Sequence, residues 1–445
     1  MPSSDIIHKI VDVVGSKLRT PETVTTGVEI ENILYDNNLQ RVPVNIGETF
    51  SIMDIKERLE STDAQPAHVI TVEPGGQLEY ASPPRSTLDD LKNAWNSYLA
   101  SLLEICEEEN LMLLDFALDP LYSPDDIAII DHKKYHLMWQ CFATTGKLGH
   151  WMMLNTTSVQ INYDYTSLEE AERLAFLADA LHPFVSVIFA NAPFRSGSVT
   201  GNQNIREIIW NDTDPARCGT LLDHNISASQ GLVRSFIDYL LATPTIFTLT
   251  RADDIGIFDG SLMEWLSSLD DEGGLGASDA LAALHHIFTQ VRFKEILEIR
   301  GPDRPPFGFE LAPVAFLTGL LRTSAVSDKL YDIILSWSPE ERRQVQSKAQ
   351  TLDLSQKAFG RRTFHAWIEQ LFSMALDGLT AGNAQSEAGH ERIFLESFAE
   401  NFLRNGPVSL QIQKDFESSS KSINIYIRDR WLKQKEALGA ALKAP

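Results

Sequence analysis

The chain has few cysteines and no long apolar segment. Its 445 residues include only three cysteines, Cys106, Cys141 and Cys218, which lie far apart and form no C-x-x-C pair. This pattern excludes a disulfide scaffold and a zinc ribbon, and it is typical of a reducing compartment. No apolar run approaches the roughly 20 residues that span a membrane, and the N-terminus has no apolar signal core. The sequence therefore predicts a cytoplasmic protein without a membrane partner.

Positive charge is also scarce. The chain has 38 Lys and Arg residues against 61 Asp and Glu, for a formal net charge of -23. This balance argues against nucleic acid as a partner, because nucleic acid requires a basic surface. It does not exclude a nucleotide, which local arginines, lysines and metal ions can bind. The apolar content of 43% is that of a soluble globular protein with a large core.

Acidic residues flank a predicted β-hairpin at residues 69–82, which reads V-I-T-V-E-P-G-G-Q-L-E-Y-A-S. Two short strands are expected around a Pro-Gly-Gly turn, with Gly75 and Gly76 supplying the positive φ angles. Glu73 and Glu79 then lie at or beside the turn. Crowded carboxylates are costly unless a positive group neutralises them, and a hard divalent cation would do so. A solvated acidic hairpin is the alternative, and the hairpin alone leaves both readings open.

A second acidic pattern lies upstream, where Val28 and Ile30 alternate with Glu29 and Glu31. The period of two places both glutamates on one face of one strand. Neighbouring like charges on a sheet are unfavourable when they meet only other side chains. The pattern therefore favours a face that lines a cation site.

Three further stretches carry polar groups that suit binding. A strand predicted over residues 151–165 has one wholly polar face, which includes Gln160 and Asn162, although an outward wet face is the alternative reading. The loop-rich stretch 191–219 carries several arginines, each of which could simply lie at the surface. A strand over residues 291–301 ends in Glu298-Ile299-Arg300.

These motifs resemble the glutamate–cysteine ligase family, in the branch shared by plant-type enzymes and the actinobacterial enzyme of ergothioneine biosynthesis. The matching segments are G-V-E-I-E at 27–31, E-P-G-G-Q-L-E at 73–79, I-I-W-N-D-T-D-P-x-R at 208–217 and the strand at 291–301. The resemblance covers roughly residues 24–320. It implies an α+β fold like that of glutamine synthetase, with a curved antiparallel β-sheet funnel surrounded by helices. Residues 1–320 would form the catalytic domain, and the helical residues 321–445 would pack on the same domain.

The resemblance also implies a reaction. ATP would phosphorylate the γ-carboxylate of L-glutamate, and the amine of L-cysteine would displace phosphate to give γ-glutamylcysteine for glutathione or ergothioneine biosynthesis. Two or more Mg²⁺ ions would assist, because the sequence has no G-x-x-x-x-G-K-[ST] phosphate loop. A ligase for a different amine and a non-catalytic amino-acid-binding relative remain alternatives. The protein is expected to be a monomer or a homodimer.

The implied site residues fall into four sets. Glu29, Glu31, Glu73, Glu79, Gln160 and Glu298 would bind metal; Arg206, Trp210, Arg217, Gln160 and Asn162 would bind substrate; Arg300 and Glu298 would bind ATP; Glu73 and Arg300 would be catalytic. Arginine suits an amino-acid carboxylate because its planar fork binds both oxygens. One departure is Asn155, where plant-type members usually carry an arginine. The plant enzymes' regulatory disulfides also have no evident counterpart among the three cysteines.

Overall fold

A seven-stranded antiparallel β-sheet forms the centre of the molecule. The computed structural model describes residues 4–47, 49–62, 68–249, 255–382 and 390–442. The strands of the sheet are β1 (Thr26–Asp36), β2 (Val69–Val72), β3 (Leu78–Ala81), β4 (Leu111–Leu114), β5 (Val159–Tyr163), β10 (Val291–Phe293) and β11 (Leu297–Ile299). Two small hairpins lie outside it, β6 (Phe194–Arg195) with β7 (Ser198–Val199), and β8 (Thr248–Leu249) with β9 (Ile255–Gly256). The spatial order is β10-β11-β5-β1-β3-β2, and β4 pairs with the second half of β1.

Helices cover the sheet and make up the C-terminal third of the chain. They are α1 (Ser4–Val14), α2 (Ile52–Thr62), α3 (Leu88–Glu108), α4 (Lys133–Thr145), α5 (Gly149–Asn155), α6 (Leu168–Ile188), α7 (Ile205–Asn211), α8 (Leu232–Ala242), α9 (Leu262–Asp271), α10 (Ala277–Leu284), α11 (Ala312–Leu321), α12 (Ser324–Leu335), α13 (Pro339–Lys348), α14 (Phe364–Ala381), α15 (Glu396–Asn405), α16 (Val408–Ser419) and α17 (Ile423–Ala441). Short 3₁₀ turns occur at Pro124–Asp126, Leu221–His224 and His390–Phe394. The predicted α+β class with an antiparallel sheet and a helical C-terminal part is confirmed.

The two faces of β1 differ in polarity, as its alternation predicts. Val28 and Ile30 are buried on one face and belong to an apolar core that also includes Leu438 of α17. Burying such side chains contributes about 1.5–3 kcal/mol each, which fixes the register of the strand. The opposite face carries Glu29 and Glu31. The core therefore spans both predicted parts of the chain, while the proposed boundary at residue 320 stays a prediction.

Helix capping and burial explain the longer helices. The side chains of Thr87 and Ser167 accept hydrogen bonds from backbone amides at the starts of α3 and α6. From Leu174 onward every residue of α6 is buried, so it forms the central helix of the core. No helix in the described part of the chain is both long and apolar enough to cross a lipid bilayer.

The long strand predicted over residues 151–165 is wrong. Residues Gly149–Asn155 form helix α5, and only Val159–Tyr163 is a strand. The run W-M-M-L is apolar throughout, and such short runs do not distinguish a helix from a strand by periodicity. The correction matters because α5 supplies two methionines to the site described below.

The hairpin turn uses its two glycines differently. Gly76 has a φ of +81° and donates its backbone N–H to the carbonyl of Glu73 at 2.8 Å. Gly75 has no positive φ, but a Cβ there would lie 2.5 Å from the carbonyl oxygen of Leu154. The turn was predicted correctly, but only Gly76 supplies the positive φ angle. Gly75 instead permits close packing on α5.

Candidate active site

Strand pairing gathers most of the predicted residues on the polar face of the sheet. Glu31 of β1 lies opposite Glu79 of β3, and Glu29 lies opposite Gln160 of β5. Glu298 of β11 lies between Asn162 of β5 and Arg292 of β10. Side chains in such register positions share one face and are in contact distance. Side chains from segments more than 250 residues apart in sequence therefore lie together on one face of the sheet.

Glu31 and Glu79 form the buried centre of the acidic part. Each is 8% exposed. The Nε2 of Gln160 donates to an oxygen of each glutamate, at 3.2 Å in both cases. Neither glutamate forms an ion pair with a lysine or arginine of the described residues. Burial and the nearby charge of Glu73 raise the pKa of Glu31 to about 8. Burial and the charges of Glu29, Glu73 and Glu31 also raise the pKa of Glu79 well above its usual range.

Glu29 and Glu73 extend the acidic part and are less enclosed. Glu29 accepts a hydrogen bond of 2.8 Å from Nδ2 of Asn162. Glu73 lies at the hairpin turn, where burial raises its pKa although the positive charges of Lys134 and Arg300 oppose that effect. Four carboxylates thus share a small region, and the charges of Lys134, Arg206 and Arg300 offset their repulsion only in part.

The donor chemistry of this region suits a hard divalent cation, although the ligands are not set in place. Among the described residues, no three Asp, Glu, His or Cys side chains are arranged to hold a metal ion. The oxygens instead accept bonds from neighbours, such as the 2.5 Å bond from the Thr71 hydroxyl to Glu79. The excess of carboxylate oxygens fits Mg²⁺, and binding would require these side chains to leave their present partners.

Glu298 has the opposite environment. It is fully buried and contacts three cations: Arg292 and Arg300 donate to its Oε2, the latter at 2.9 Å, and Lys294 Nζ lies 2.5 Å from its Oε1. Although burial opposes the effect, the charges of Arg292, Lys294 and Arg300 hold the pKa of Glu298 well below its usual range. Here Glu298 neutralises cations, and the metal-binding role predicted for it stays a prediction.

Arg206 and Trp210 on α7 lie beside Arg300. The Arg206 guanidinium donates to the Gly301 carbonyl at 3.1 Å and lies 5.6 Å from the Trp210 ring centroid. The Arg300 guanidinium lies 5.7 Å from the same ring. The Nε atoms of both arginines and the indole N–H have no hydrogen-bond partner among the described residues. These buried donors could serve a substrate carboxylate.

Arg217 does not share this position. It is 1% exposed, and its guanidinium donates to Asp214 Oδ2 at 2.6 Å, to the His286 carbonyl at 3.2 Å and to the Pro244 carbonyl at 2.9 Å. Its nitrogens are therefore used within the protein. In this arrangement Arg217 ties the loop to two neighbouring segments, and the substrate-binding role predicted for it stays a prediction.

A small cavity adjoins the two parts of the site. It measures about 80 Å³ and is lined by Glu31, Glu73, Pro74, Gln77, Met138, Met152, Met153, Thr156, Ser158, Arg206, Trp210, Phe288 and Arg300. A larger cavity of about 590 Å³ lies elsewhere, between the start of β1 and helices α11 and α14. The small cavity is the one in contact with the charged face.

Sequence reasoning missed several residues of this site. Arg292 and Lys294 lie in the alternating stretch V-R-F-K-E-I-L-E, so their proximity to Glu298 could have been inferred from period two. Lys134 and Met138 on α4 gave no such signal, because only the tertiary packing of α4 brings them to the sheet. The methionines of α5 were hidden by the incorrect strand prediction.

Comparisons with known proteins agree on one family. A family model described as glutamate–cysteine ligase family 2 matches residues 25–398. The chain is 28% identical to the chloroplastic glutamate–cysteine ligase of Arabidopsis thaliana over 387 residues, which cover 83% of this chain and 73% of that protein. It is 32% identical to the chloroplastic glutamate–cysteine ligase A of Oryza sativa subsp. indica over 282 residues, 63% of this chain and 57% of that protein.

A solved structure agrees at the level of fold. The glutamate–cysteine ligase of Francisella tularensis in complex with AMP superposes with a TM-score of 0.59 over 95% of this chain and 90% of that one. The sequence identity is 11%, so this likeness concerns the fold alone.

Proposed function

The chain belongs to glutamate–cysteine ligase family 2, and from this premise we propose that it joins the γ-carboxylate of L-glutamate to the amine of L-cysteine at the expense of ATP. The observation that carries the proposal is the division of one sheet face into two parts. Buried carboxylates around Glu31 and Glu79, which form no direct ion pair among the described residues, adjoin a cluster of cations around Glu298. Such a face can bind a metal–polyphosphate group, which carries both signs of charge.

The reaction overcomes the poor electrophilicity of a carboxylate. The γ-carboxylate of glutamate attacks the terminal phosphorus of ATP, and ADP leaves. The amine nitrogen then attacks the γ-carbonyl carbon of γ-glutamyl phosphate, inorganic phosphate leaves, and the amine loses a proton. Arg300 would neutralise the transferred phosphoryl group, a role supported by its hydrogen bonds to both Glu298 and Gln160 between the two parts of the site.

Mg²⁺ would bind on the acidic part. Glu29, Glu31, Glu73, Glu79 and Gln160 supply oxygen ligands there, and Glu298 would join them as the sequence predicts. Bound Mg²⁺ would neutralise the charge on the phosphoryl oxygens. The residues of the sheet face would bring the phosphoryl oxygens beside Arg300, and their burial would exclude water.

The acceptor amine would bind at the small cavity. Met138, Met152, Met153 and Phe288 give it an apolar, sulfur-rich wall, while Arg206 lies at its polar side. Methionine sulfur and aromatic carbon contact a thiol side chain favourably, whereas a charged side chain would be desolvated there. Cysteine is therefore the acceptor that the cavity favours, and another amine of similar size is the alternative.

The product would serve low-molecular-weight thiol biosynthesis, of glutathione or ergothioneine. The described cysteines are all free thiols, two of them buried, as expected in a reducing compartment. We place the protein in the cytoplasm on this basis, although the plant relatives are chloroplastic. We expect it to be a monomer or a homodimer.

An ADP-release assay tests the function directly. Purified protein with Mg²⁺-ATP and glutamate should release ADP steadily only when an amine is added, and cysteine should give the highest kcat/KM of an amino-acid panel. Mass spectrometry should identify γ-glutamylcysteine. The absence of a γ-glutamyl product with every amine of the panel would overturn the ligase assignment.

A further inference from the structure

The cavity of about 590 Å³ lies behind the β-sheet, at the start of β1. Thr26 lines it and pairs with Tyr163 of β5. Period two places Thr26 on the face of Val28, opposite to the face of Glu29. The hydroxyls of Tyr163 and of Thr318 on α11, which also lines the cavity, share a hydrogen bond of 2.9 Å. The cavity is therefore separate from the candidate active site, and its volume is within the roughly 300–1,000 Å³ of small-molecule sites.

Arg85 brings a positive charge to this cavity. Its backbone is fixed, because its N–H donates to the Thr26 carbonyl at 2.9 Å and its carbonyl accepts from the Thr26 N–H at 2.8 Å. Its guanidinium forms no ion pair with the residues that the structure describes, and its buried Nε has no hydrogen-bond partner among them. A buried donor without an acceptor is costly, and the planar fork of arginine suits a carboxylate. Arg85 is therefore prepared to bind an anionic group.

Glu391 brings the opposite charge to the cavity. It is 3% exposed, and its Oε1 accepts a hydrogen bond of 2.9 Å from the Leu88 N–H at the start of α3. Within the described ranges its other oxygen, Oε2, accepts no hydrogen bond and forms no ion pair. Burial raises the pKa of Glu391, although the bond from Leu88 opposes that effect. A cationic group of a ligand beside Oε2 would offset the cost of burying this charge.

The other charged side chains that line the cavity are Arg322, Glu170 and Glu22. Arg322 and Glu170 lie 3.5 Å apart, so each offsets the charge of the other in part. The hydrogen bond of Glu22 with Thr20 lowers the pKa of that glutamate and keeps it charged at neutral pH. The lining thus has two arginines and three glutamates. This small negative excess argues against a purely anionic ligand and favours one that also carries an ammonium group.

Arg85 and Glu391 are close enough to serve one small ligand. Leu88, whose amide binds Glu391, follows Arg85 by three residues, so their Cα atoms are at most about 10 Å apart. Val24 and Leu379 supply apolar wall between the charged groups. A molecule with a carboxylate, an ammonium group and an apolar side chain is an amino acid or a peptide. The volume favours a peptide, because the two charges of a free amino acid share one carbon atom.

We propose that this cavity binds a short peptide with free termini, its carboxylate on Arg85 and its ammonium group on Glu391, at a site separate from the candidate active site. The inference does not depend on the proposed function. Because Thr25 and Thr26 line the cavity, the bound peptide contacts the start of β1, the strand that carries Glu29 on its other face.

Calorimetry with dipeptides tests the proposal. The wild-type protein should bind at least one of alanyl-leucine, leucyl-alanine and glycyl-leucine at concentrations up to millimolar. The N-acetylated and the C-amidated form of that peptide should each bind roughly ten- to a hundredfold more weakly, the scale of a lost charged hydrogen bond. Arg85→Met should weaken binding of the unmodified peptide by the same factor and abolish the effect of amidation. Glu391→Gln, which keeps an acceptor for the Leu88 amide, should abolish the effect of N-acetylation.

The control is Arg361→Met, which removes the same charge from an exposed arginine that does not line the cavity, and it should leave the affinity unchanged. A crystal structure with the peptide should show its carboxylate at Arg85. Failure of all three dipeptides to bind, equal affinity in the wild type and both test variants, or a peptide bound on the polar face of the sheet would overturn the proposal. Neither variant alters the polar face, so their formation of γ-glutamylcysteine tests the ligase function separately.

Discussion

Glu31 and Glu79 lie directly opposite each other on β1 and β3 and share one amide group, the Nε2 of Gln160. A carboxylate pair in this position is destabilising when both members are ionised, and burial increases the cost. Among the described residues no lysine or arginine forms an ion pair with either glutamate, and the charges of Arg206 and Arg300 offset the burial of Glu31 only in part. Its electrostatics should therefore be visible in the stability of the protein as well as in its activity.

The pair predicts a pH-dependent stability without divalent cations. Because the folded-state pKa of Glu31 is raised to about 8 from an ordinary 4.5, folding favours the protonated form. Its stabilising contribution is complete below about pH 4.5 and is lost as the pH rises through 8, on a scale of ~1.4 kcal/mol per pKa unit. Urea unfolding from pH 5 to 8.5 should show the wild type losing stability relative to Glu31→Gln. A constant difference between the two proteins would contradict the assignment, and Mg²⁺ should reduce the loss.

Glutamates of the two parts should respond oppositely to the same substitution. Glu73→Gln should lower kcat at least about a hundredfold, the scale of losing a main electrostatic stabiliser, while stability is kept or increased because the cost of burying a charge is removed. Glu298→Gln should also impair turnover, but it should destabilise the fold by roughly 3–5 kcal/mol, because buried Arg292 and the partly exposed Lys294 and Arg300 lose their common partner. Thermal unfolding at pH 7, measured together with steady-state kinetics, distinguishes the two variants. Equal stability changes would contradict the division of the site.

Two arginines of stretch 191–219, Arg217 and Arg206, should separate into a structural and a binding residue. Arg217→Ala should cost roughly 3–5 kcal/mol of unfolding free energy, because it breaks a buried ion pair with Asp214. Folded Arg217→Ala should retain a near-normal KM for glutamate and cysteine. Arg206→Lys keeps the charge but loses the fork, and it should raise the KM of one amino-acid substrate with the KM of ATP little changed. A selective rise in an amino-acid KM for folded Arg217→Ala would restore that residue to the binding site.

The sequence predicted the sheet better than the helical layer around it. Glu29 and Glu31 of β1 follow period two, so their common face could be deduced from the sequence, whereas Glu79 and Glu298 could be added only through the resemblance to the family. Arg217 could not be assigned in this way, because its partners Pro244 and His286 come from segments distant in sequence. Domain packing alone decides whether such an arginine faces a substrate or the backbone.

Helix α5 is another element that the sequence pattern alone could not predict. Its run of apolar residues fits a strand or a helix equally well, and in the structure it is a helix whose Leu154 packs closely on Gly75 of the hairpin turn. The acceptor cavity depends on that choice, since α5 supplies Met152 and Met153. The chemistry of the acceptor was therefore beyond the reach of sequence patterns.

The methionine wall predicts how the acceptor is selected. Two polar side chains next to the methionines are already engaged: Gln77 donates to the Met153 and Thr156 carbonyls, and the Thr156 hydroxyl donates to the Met152 carbonyl. A serine hydroxyl entering beside the methionines would lose water without full compensation, at a cost of about 1–3 kcal/mol. We expect kcat/KM for serine to be at least roughly tenfold below that for cysteine. 2-Aminobutyrate, which replaces the thiol with a methyl group of similar size, should stay close to cysteine.

Enlarging the wall should weaken this selection in a defined way. Met153 is 3% exposed. Met153→Ala should raise kcat/KM for homocysteine relative to cysteine, because it makes room for one more methylene group. In an apolar pocket this effect is about 1–3 kcal/mol at most. The matched control is Met263→Ala on α9, which does not line this cavity and should leave the ratio unchanged. Competition assays with both amines present measure the ratio directly. Equal ratios for Met153→Ala and Met263→Ala would show that the acceptor side chain does not bind against α5. Removing a methionine that contacts the acceptor must alter the relative fit of two acceptors that differ only in length.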